Sequence, residues 1–186
     1  LYKGISIWEV EIPLSKEVTR EASSMERKRI AVFAGSFDPI TYGHLDVLRK
    51  ALSIFDEVIV AISFNPEKKG RFEVEERIAM AKEATSSFKG AEVKLNEGYT
   101  VEFAKSNGAR FLVRGIRDQK DFEFELELAK ANKGLDPSIR TVFLYAEEGH
   151  TDISSTEVES LALAGEDISG FVPECVRKAY QKRLKK

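Results

Sequence analysis

Side chains that bind phosphate are concentrated in four short segments of this chain. They are Ser36 and His44 in GSFDPITYGH, Lys68 in NPEKKGRF, Arg114 and Arg117 in VRGIR, and the run from His150 to Thr156. Lysine and arginine neutralise phosphate charge, arginine adds planar two-pronged hydrogen bonding, and hydroxyl groups bond to phosphate oxygens. This combination predicts a site that holds several phosphate groups.

Group transfer between two phosphorylated molecules needs this kind of site and little more. An acceptor phosphate is already an anionic nucleophile, so no serine or cysteine activated by a base is required. The protein has to align the reacting groups and neutralise the charge that grows on the transferred phosphate and its leaving group. Mg²⁺ is the expected cofactor because it normally accompanies a triphosphate, and the sequence indicates no metal site built from protein ligands.

The segment from Arg29 to Phe55 positions the first of these groups. Ile30 to Ala34 is a short apolar run that predicts a buried strand, and four turn formers follow it: Gly35, Asp38, Pro39 and Gly43. Apolar residues then recur at helical spacing from His44 onward. This order places Ser36 at the end of a strand and His44 on the first turn of a helix, where unpaired backbone N–H groups favour an anion.

Four more apolar runs predict strands, and helical patterns separate them. The predicted strands are Val58–Phe64, Ala91–Leu95, Phe111–Val113 and Thr141–Tyr145. The predicted helices are Val74–Ser86, Thr100–Ser106, Asp121–Lys133, one capped by Ser155 and one from Pro173. The alternation predicts an α/β fold with a doubly wound five-stranded parallel sheet. The four segments would then meet at the edge formed by the carboxyl ends of the strands.

Two further predictions concern the surroundings of the arginines. The residues from Arg114 to Arg117 are expected to form the loop after the fourth strand. The helix that follows is expected to end at Gly134. It is also expected to turn four apolar side chains inward, those of Phe122, Phe124, Leu126 and Ala129.

The length of 186 residues suits one domain with a substantial core and is short for two. The chain is 42% hydrophobic and 32% charged, an ordinary globular balance. We expect one domain at residues 25–186. Residues 1–24 are interpreted as an artificial extension or the product of an alternative start, because Met25 is a credible initiator.

Charge and cysteine content exclude several partners. The net charge is −2, with 29 basic and 31 acidic residues, so no overall field favours nucleic acid or an anionic membrane. The single Cys175 excludes an intrachain disulfide and fits a reducing cytoplasm. No apolar run approaches the roughly 18 residues that a bilayer-spanning helix needs. We therefore expect a cytoplasmic protein that binds neither membrane nor nucleic acid.

The run GSFDPITYGH resembles the (T/H)xGH signature of the adenylyl- and cytidylyl-transferring nucleotidyltransferases, which have a Rossmann-like fold. Thr41 stands at the first position of the signature, as in the phosphopantetheine adenylyltransferases of coenzyme A biosynthesis. The resemblance covers about residues 29–183, with four motifs in the expected order. It implies transfer of the adenylyl group of ATP to 4′-phosphopantetheine, giving dephospho-coenzyme A and pyrophosphate. It also implies a homohexamer with feedback binding of coenzyme A.

The resemblance assigns roles to individual residues. His44 would steady the α-phosphate in the transition state, with Lys68 and Arg117 as the other catalytic cations. Acceptor-binding positions are Ser36, Lys68, Thr100, Arg114 and Asn132. ATP-binding positions are Ser36, Phe37, His44, Gly115, Ile116, Arg117, Glu125, His150, Thr151, Asp152, Ile153, Ser154, Ser155 and Thr156. The sequence departs from the family pattern at Ser36, where threonine is commoner, and at His150–Asp152, where aromatic residues are usual.

Other interpretations of the same residues stay open. His44 could be an ordinary helix residue, and Arg114 and Arg117 could form local ion pairs with Asp118, Asp121 or Glu125. The cluster Ser154–Thr156 could serve only as a helix cap. At the level of function, the alternatives are another nucleotidyltransferase, such as nicotinamide mononucleotide adenylyltransferase or a cytidylyltransferase, and a non-catalytic nucleotide-binding module.

Overall fold

A computed structural model describes residues 28–64, 70–145 and 154–184. Strands and helices alternate through these ranges. The strands are β1 (Ile30–Gly35), β2 (Glu57–Ser63), β3 (Ala91–Asn96), β4 (Phe111–Ile116) and β5 (Arg140–Tyr145). The helices are α1 (Tyr42–Leu52), α2 (Val74–Thr85), α3 (Thr100–Ser106), α4 (Gln119–Leu135), α5 (Ser155–Leu163) and α6 (Glu174–Leu184). The proposed N-terminal extension, Lys68 and residues 150–153 lie outside the described residues.

The strands form one parallel sheet in the order β3-β2-β1-β4-β5. β1 is central, because the chain first builds outward through β2 and β3 and then returns to place β4 on the other side of β1. The carboxyl ends of β1 and β4 therefore flank the point where the strand order reverses, and ligands bind at such points in open α/β sheets. The predicted doubly wound, Rossmann-like fold is confirmed.

Helices cover both faces of the sheet. On one face, Phe33 of β1 and Val113 of β4 belong to a core that includes residues of α1, α2, α5 and α6. On the other face, Val32 and Leu112 pack with residues of α3, and α4 contacts the sheet through Phe122 and Phe143, whose ring centroids are 5.4 Å apart. None of the helices in the described ranges has the length and apolar character that a bilayer crossing requires.

Three local predictions differ from the structure. Arg114, Gly115 and Ile116 belong to β4 and pair with β5, so the loop begins only at Arg117. Gly134 lies inside α4, which continues to Leu135. The cap of α5 is Ser154, and Ser155 is its first helical residue.

The predicted inner face of α4 is also wrong in part. Phe122 packs on Phe143 of the sheet although 38% of it is exposed, and Leu126 and Ala129 are half-buried, but Phe124 is 64% exposed. The buried residue of this helix is instead Glu125. A charged residue takes the inward position because β4 presents a partner for it there, as described below.

Candidate active site

A cavity of about 360 Å³ opens at the carboxyl ends of β1 and β4. Its wall is made by the end of β1, the first turn of α1, the end of β4, the start of α4 and the start of α5. The predicted site residues that line it include Ser36, His44, Arg114, Arg117, Ser154 and Ser155. Residues more than 100 positions apart in the sequence thus meet at the reversal point of the sheet.

His44 is fixed in the cavity by the cap of its own helix. The backbone N–H of Thr41, the N-cap residue, donates to Nδ1 of His44 at 3.0 Å, and the backbone N–H of His44 donates to Oγ1 of Thr41 at 3.4 Å. This reciprocal pair is a capping box with histidine in the place usually taken by glutamate or glutamine. Because a backbone N–H can only donate, Nδ1 must be an acceptor, and the proton of the neutral ring is on Nε2.

The His44 ring is held in its neutral form. Burial, together with the nearby positive charge of Arg117 as the smaller cause, lowers the pKa of His44 from the ordinary value of 6.5 to about 4. The ring also lies against Phe37, with centroids 5.0 Å apart. His44 therefore offers a neutral Nε2–H donor over the whole physiological pH range.

We expect nuclear magnetic resonance to detect this state directly. In the free protein, the His44 ring should remain neutral with the proton on Nε2 between pH 5 and pH 9 and should titrate near pH 4. The chain has two histidines, so ¹⁵N spectra of the imidazoles are simple to assign by comparison with a His44→Gln variant. A midpoint between pH 6 and pH 7 would contradict the tautomer and the environment described here.

The turn after β1 brings Phe37 under the imidazole. Phe37 has a φ of +43°, a left-handed conformation that costs a non-glycine residue free energy. Its ring is fully buried and meets Phe33 edge to face, with centroids 5.2 Å apart. The packing of this ring holds the turn, and the turn leaves Ser36 exposed at the mouth of the cavity.

Arg114 is bound to Glu125 by a two-pronged ion pair. Its Nε and Nη2 donate to the two carboxylate oxygens of Glu125 at 2.5 and 2.6 Å, and its Nη1 donates to the carbonyl oxygen of Ala34 at 2.7 Å. The Arg114 and Glu125 side chains are 25% and 12% exposed. These bonds use three of the five N–H groups of a guanidinium. The remaining two N–H groups have no protein acceptor among the described residues, and their direction is fixed.

Arg117 forms a looser pair with Asp121. Its Nε donates to one carboxylate oxygen of Asp121 at 2.6 Å and its Nη2 donates to the other at 3.2 Å. This bond and the charge of Asp121 raise the pKa of Arg117, so it stays protonated. The side chains are 41% and 30% exposed. An anion can therefore displace Asp121 from Arg117 more easily than it could displace Glu125 from Arg114.

The amino end of α5 closes another side of the cavity. Ser154 accepts from the backbone N–H of Glu157 at 3.2 Å, and the Glu157 side chain accepts from the backbone N–H of Ser154 at 2.7 Å. Oγ of Ser155 donates to the carbonyl oxygen of Pro39 in the turn after β1, at 3.0 Å. Ser154 thus caps α5 as the sequence allowed, and the start of the same helix also lines the cavity, where its partial positive charge favours an anion.

Comparison with known proteins decides the family. Residues 32–160 match the model of the cytidylyltransferase-like family. A phosphopantetheine adenylyltransferase of Caldanaerobacter subterraneus subsp. tengcongensis is 39% identical over 85% of this chain and 99% of its own length. Those of Lacticaseibacillus casei and Clostridium novyi are 45% and 40% identical, over 84% and 81% of this chain and 95% and 93% of their own lengths. The chain belongs to the phosphopantetheine adenylyltransferase family.

Some residues that the family resemblance selects lie away from the cavity. Thr156 is bonded by Nη2 of Arg71 at 2.6 Å. Ile116 pairs with Tyr145 inside the sheet, and Thr100 begins α3 beyond the end of β3. Asn132 is half-buried on α4, two turns beyond Glu125. None of these four side chains lines the cavity described above, and Lys68 and residues 150–153 lie outside the described residues.

Other lining residues of this adenylyltransferase-family site were missed from the sequence. The sequence predicts Asp121 only as an ion-pair partner and Phe124 only as an inward-facing helix residue, but both line the cavity. The role of Thr41 in setting the tautomer of His44 was also missed. The spacing Thr-x-x-His, read as a capping box, is a signal that could have identified it.

Gly115 allows α1 to approach β4. A Cβ built on Gly115 would lie 3.0 Å from Cγ2 of Val47, which is buried and belongs to the same helix as His44. We expect Gly115→Ala to push α1 outward, cost about 1–3 kcal/mol of stability, and reduce catalytic turnover by displacing His44. A Gly115→Ala/Val47→Ala double variant should regain part of both losses, measured by thermal unfolding and steady-state rates. Additive losses in the double variant would contradict this packing argument.

Proposed function

We propose that this chain transfers the adenylyl group of ATP to 4′-phosphopantetheine, releasing pyrophosphate and forming dephospho-coenzyme A. An oxygen of the acceptor phosphate attacks the α-phosphorus of ATP, and the bond from that phosphorus to the oxygen bridging the β-phosphate breaks. The relatives that match this chain over 93% to 99% of their own lengths carry this enzyme name. The observation that carries the proposal is the neutral, capped His44 in one cavity with Arg114, Arg117 and the start of α5.

In this proposal, His44 stabilises the transition state of adenylyl transfer. Its Nε2–H is a fixed donor suited to a non-bridging oxygen of the α-phosphate, on which charge increases during transfer. A neutral donor does not have to lose or gain a proton, so it can assist both directions of the reaction. The Thr41 N–H bond keeps the ring from turning, so little reorganisation is needed at the moment of reaction.

The two arginines have different tasks. Arg117 can exchange Asp121 for the phosphates of ATP, because its ion pair is partly exposed. Arg114 keeps Glu125 and uses its two remaining N–H groups to bind the acceptor. Ser154, Ser155 and the backbone N–H groups at the start of α5 add donors for the triphosphate. Lys68 is proposed as a further catalytic cation, on the strength of its motif alone.

We propose that Mg²⁺ binds to the protein together with ATP. In the described ranges there is no group of three or more His, Cys, Asp and Glu side chains that could hold a metal ion. Asp121 and Glu125, the carboxylates that line the described part of the cavity, are bonded to arginines. This fits an ion carried by the triphosphate, since Mg²⁺ in such sites keeps several waters and binds mainly phosphate oxygens.

Pyrophosphate release distinguishes the proposal from its alternatives. We expect release with ATP and 4′-phosphopantetheine, and little with ATP and nicotinamide mononucleotide or with CTP in place of ATP. Thr41 supports this expected substrate preference, because the alternative transferases usually carry histidine at that position. If nicotinamide mononucleotide is turned over and 4′-phosphopantetheine is not, the proposed acceptor is rejected. ATP binding without any turnover would favour a non-catalytic nucleotide-binding module.

We also propose that the protein forms a homohexamer and that coenzyme A binds it as a feedback inhibitor. α4 and the end of β5 expose Leu128, Leu135 and Tyr145, which suits burial against a second copy. Coenzyme A contains both acceptor and nucleotide groups, so it is expected to compete for the same cavity. Native mass spectrometry with and without coenzyme A tests both points. A cytoplasmic location stays a prediction from the single cysteine.

A further inference from the structure

Two segments that are far apart in the sequence both line the cavity. One is the turn after β1, residues 36–40, which includes Ser36 and Phe37. The other is the start of α5, residues 154–157, which includes Ser154 and Ser155. Besides the hydrogen bond between Ser155 and Pro39, one side chain among the described residues joins these two segments by hydrogen bonds to both. That side chain is Arg71, in the segment between β2 and α2.

The guanidinium of Arg71 binds both segments at once. Its Nη1 donates to the carbonyl oxygen of Asp38 at 3.0 Å, on the side of the turn after β1. On the side of α5, its Nε donates to Oε2 of Glu159 and its Nη2 donates to Oγ1 of Thr156, both at 2.6 Å. A planar guanidinium with bonds on all three nitrogens has one orientation. The turn and the helix are therefore held at a set separation.

The backbone of Arg71 is fixed as well. Its N–H and that of Phe72 donate to the two carboxylate oxygens of Asp38 at 2.6 and 2.9 Å. Phe72 is buried, and its ring centroid lies 5.0 Å from that of Tyr180 and 4.1 Å from the guanidinium carbon of Arg183. Arg183 also donates to the carbonyl oxygen of Arg71. Arg71 thus projects from a rigid base.

Arg71 does not line the cavity, although every segment that it bonds contributes to the site or adjoins it. We propose that Arg71 is a positioning residue for the adenylyl transfer proposed above, on which this inference rests. It sets the separation between the turn after β1 and the start of α5, and so aligns the triphosphate with His44. A misplacement of about 1 Å can cost on the order of 100-fold in rate.

The test compares Arg71→Ala with Arg177→Ala. Arg177 also makes two bonds to a carboxylate, that of Glu174, but both residues lie on α6, so the pair links no separate segments. We expect Arg71→Ala to lower kcat by roughly 10- to 100-fold, and Arg177→Ala to leave it unchanged. Hydrogen exchange should quicken at residues 38–41 and 155–159 in Arg71→Ala alone.

A double-mutant cycle separates positioning from general stability. If Arg71 acts through α5, the Arg71→Ala/Glu159→Ala variant should be little slower than Arg71→Ala, because both changes break the same link. Arg71→Lys, which keeps the charge without the planar fork, should give an intermediate rate and serves if Arg71→Ala does not fold. A lower melting temperature with unchanged kcat, KM and exchange would overturn the proposal.

Failure of the proposed function gives a different result. In that case the wild-type chain releases no pyrophosphate with ATP and 4′-phosphopantetheine, whatever occupies position 71. The exchange comparison between Arg71→Ala and Arg177→Ala needs no turnover, and it then decides the positioning role alone. Equal exchange in the two variants at residues 38–41 and 155–159 would reject that role.

Discussion

A His44→Glu variant should fold as stably as the wild-type protein and lose adenylyl transfer by roughly 1,000-fold or more. Glutamate is a preferred residue three positions after an N-cap threonine, so its carboxylate can accept the Thr41 N–H in place of Nδ1. A negative charge at the start of α1 also suits the helix dipole. The same charge repels the α-phosphate and removes the donor that faces it.

Two further variants at this position divide the role of His44 into its parts. His44→Gln keeps an acceptor for the cap and an N–H donor, so it should retain more activity than His44→Ala. His44→Ala should lower kcat by about 100- to 1,000-fold with little change in ATP affinity, because the charge that His44 meets develops mainly in the transition state. Steady-state kinetics and ATP titration on each folded variant measure this. Equal losses in kcat and in ATP affinity would show that His44 acts in ground-state binding instead.

The part of the site near His44 could be predicted because its signals are local. A buried strand, a run of turn formers and a helix begin within 20 residues of one another. Their types follow from hydrophobic period and turn chemistry. Strand alternation then brought the phosphate-binding segments to one edge, and Arg114 and Arg117 do reach the cavity of His44. The burial of His44 and the tautomer of its ring could not be predicted, because they depend on the neighbours of that histidine in three dimensions.

Predictions failed where tertiary contacts override the local pattern. The apolar run predicts only Phe111–Val113 for β4, because Arg114 and Gly115 interrupt it. In the structure β5 extends the pairing to Ile116, and Glu125 neutralises the arginine that the run could not otherwise bury. The same contact explains the inner face of α4, since Glu125 is buried there and the neighbouring Phe124 is exposed. A long-range ion pair leaves no periodic signal in the sequence.

The Arg114–Glu125 pair gives the second large effect. Glu125→Ala should destabilise the fold by about 3 kcal/mol, because it leaves a mostly buried guanidinium without its carboxylate. Asp121→Ala is the matched control, since it breaks a similar pair with Arg117 at the same cavity. The Arg117 pair is more exposed, so this control should cost less than about 1 kcal/mol. Urea unfolding at neutral pH measures both.

Replacing both partners tests what the pair is for. An Arg114→Met/Glu125→Leu variant should recover most of the stability lost in Glu125→Ala, because an apolar pair of similar size avoids the cost of burying charge. It should nevertheless lose at least about 100-fold in kcat/KM for 4′-phosphopantetheine, since no fixed N–H groups remain to bind the acceptor. Retained activity in that variant would mean that the pair serves the fold alone. Lost activity with restored stability would mean that the ion pair is kept for orientation, at a cost in stability that an apolar pair would not carry.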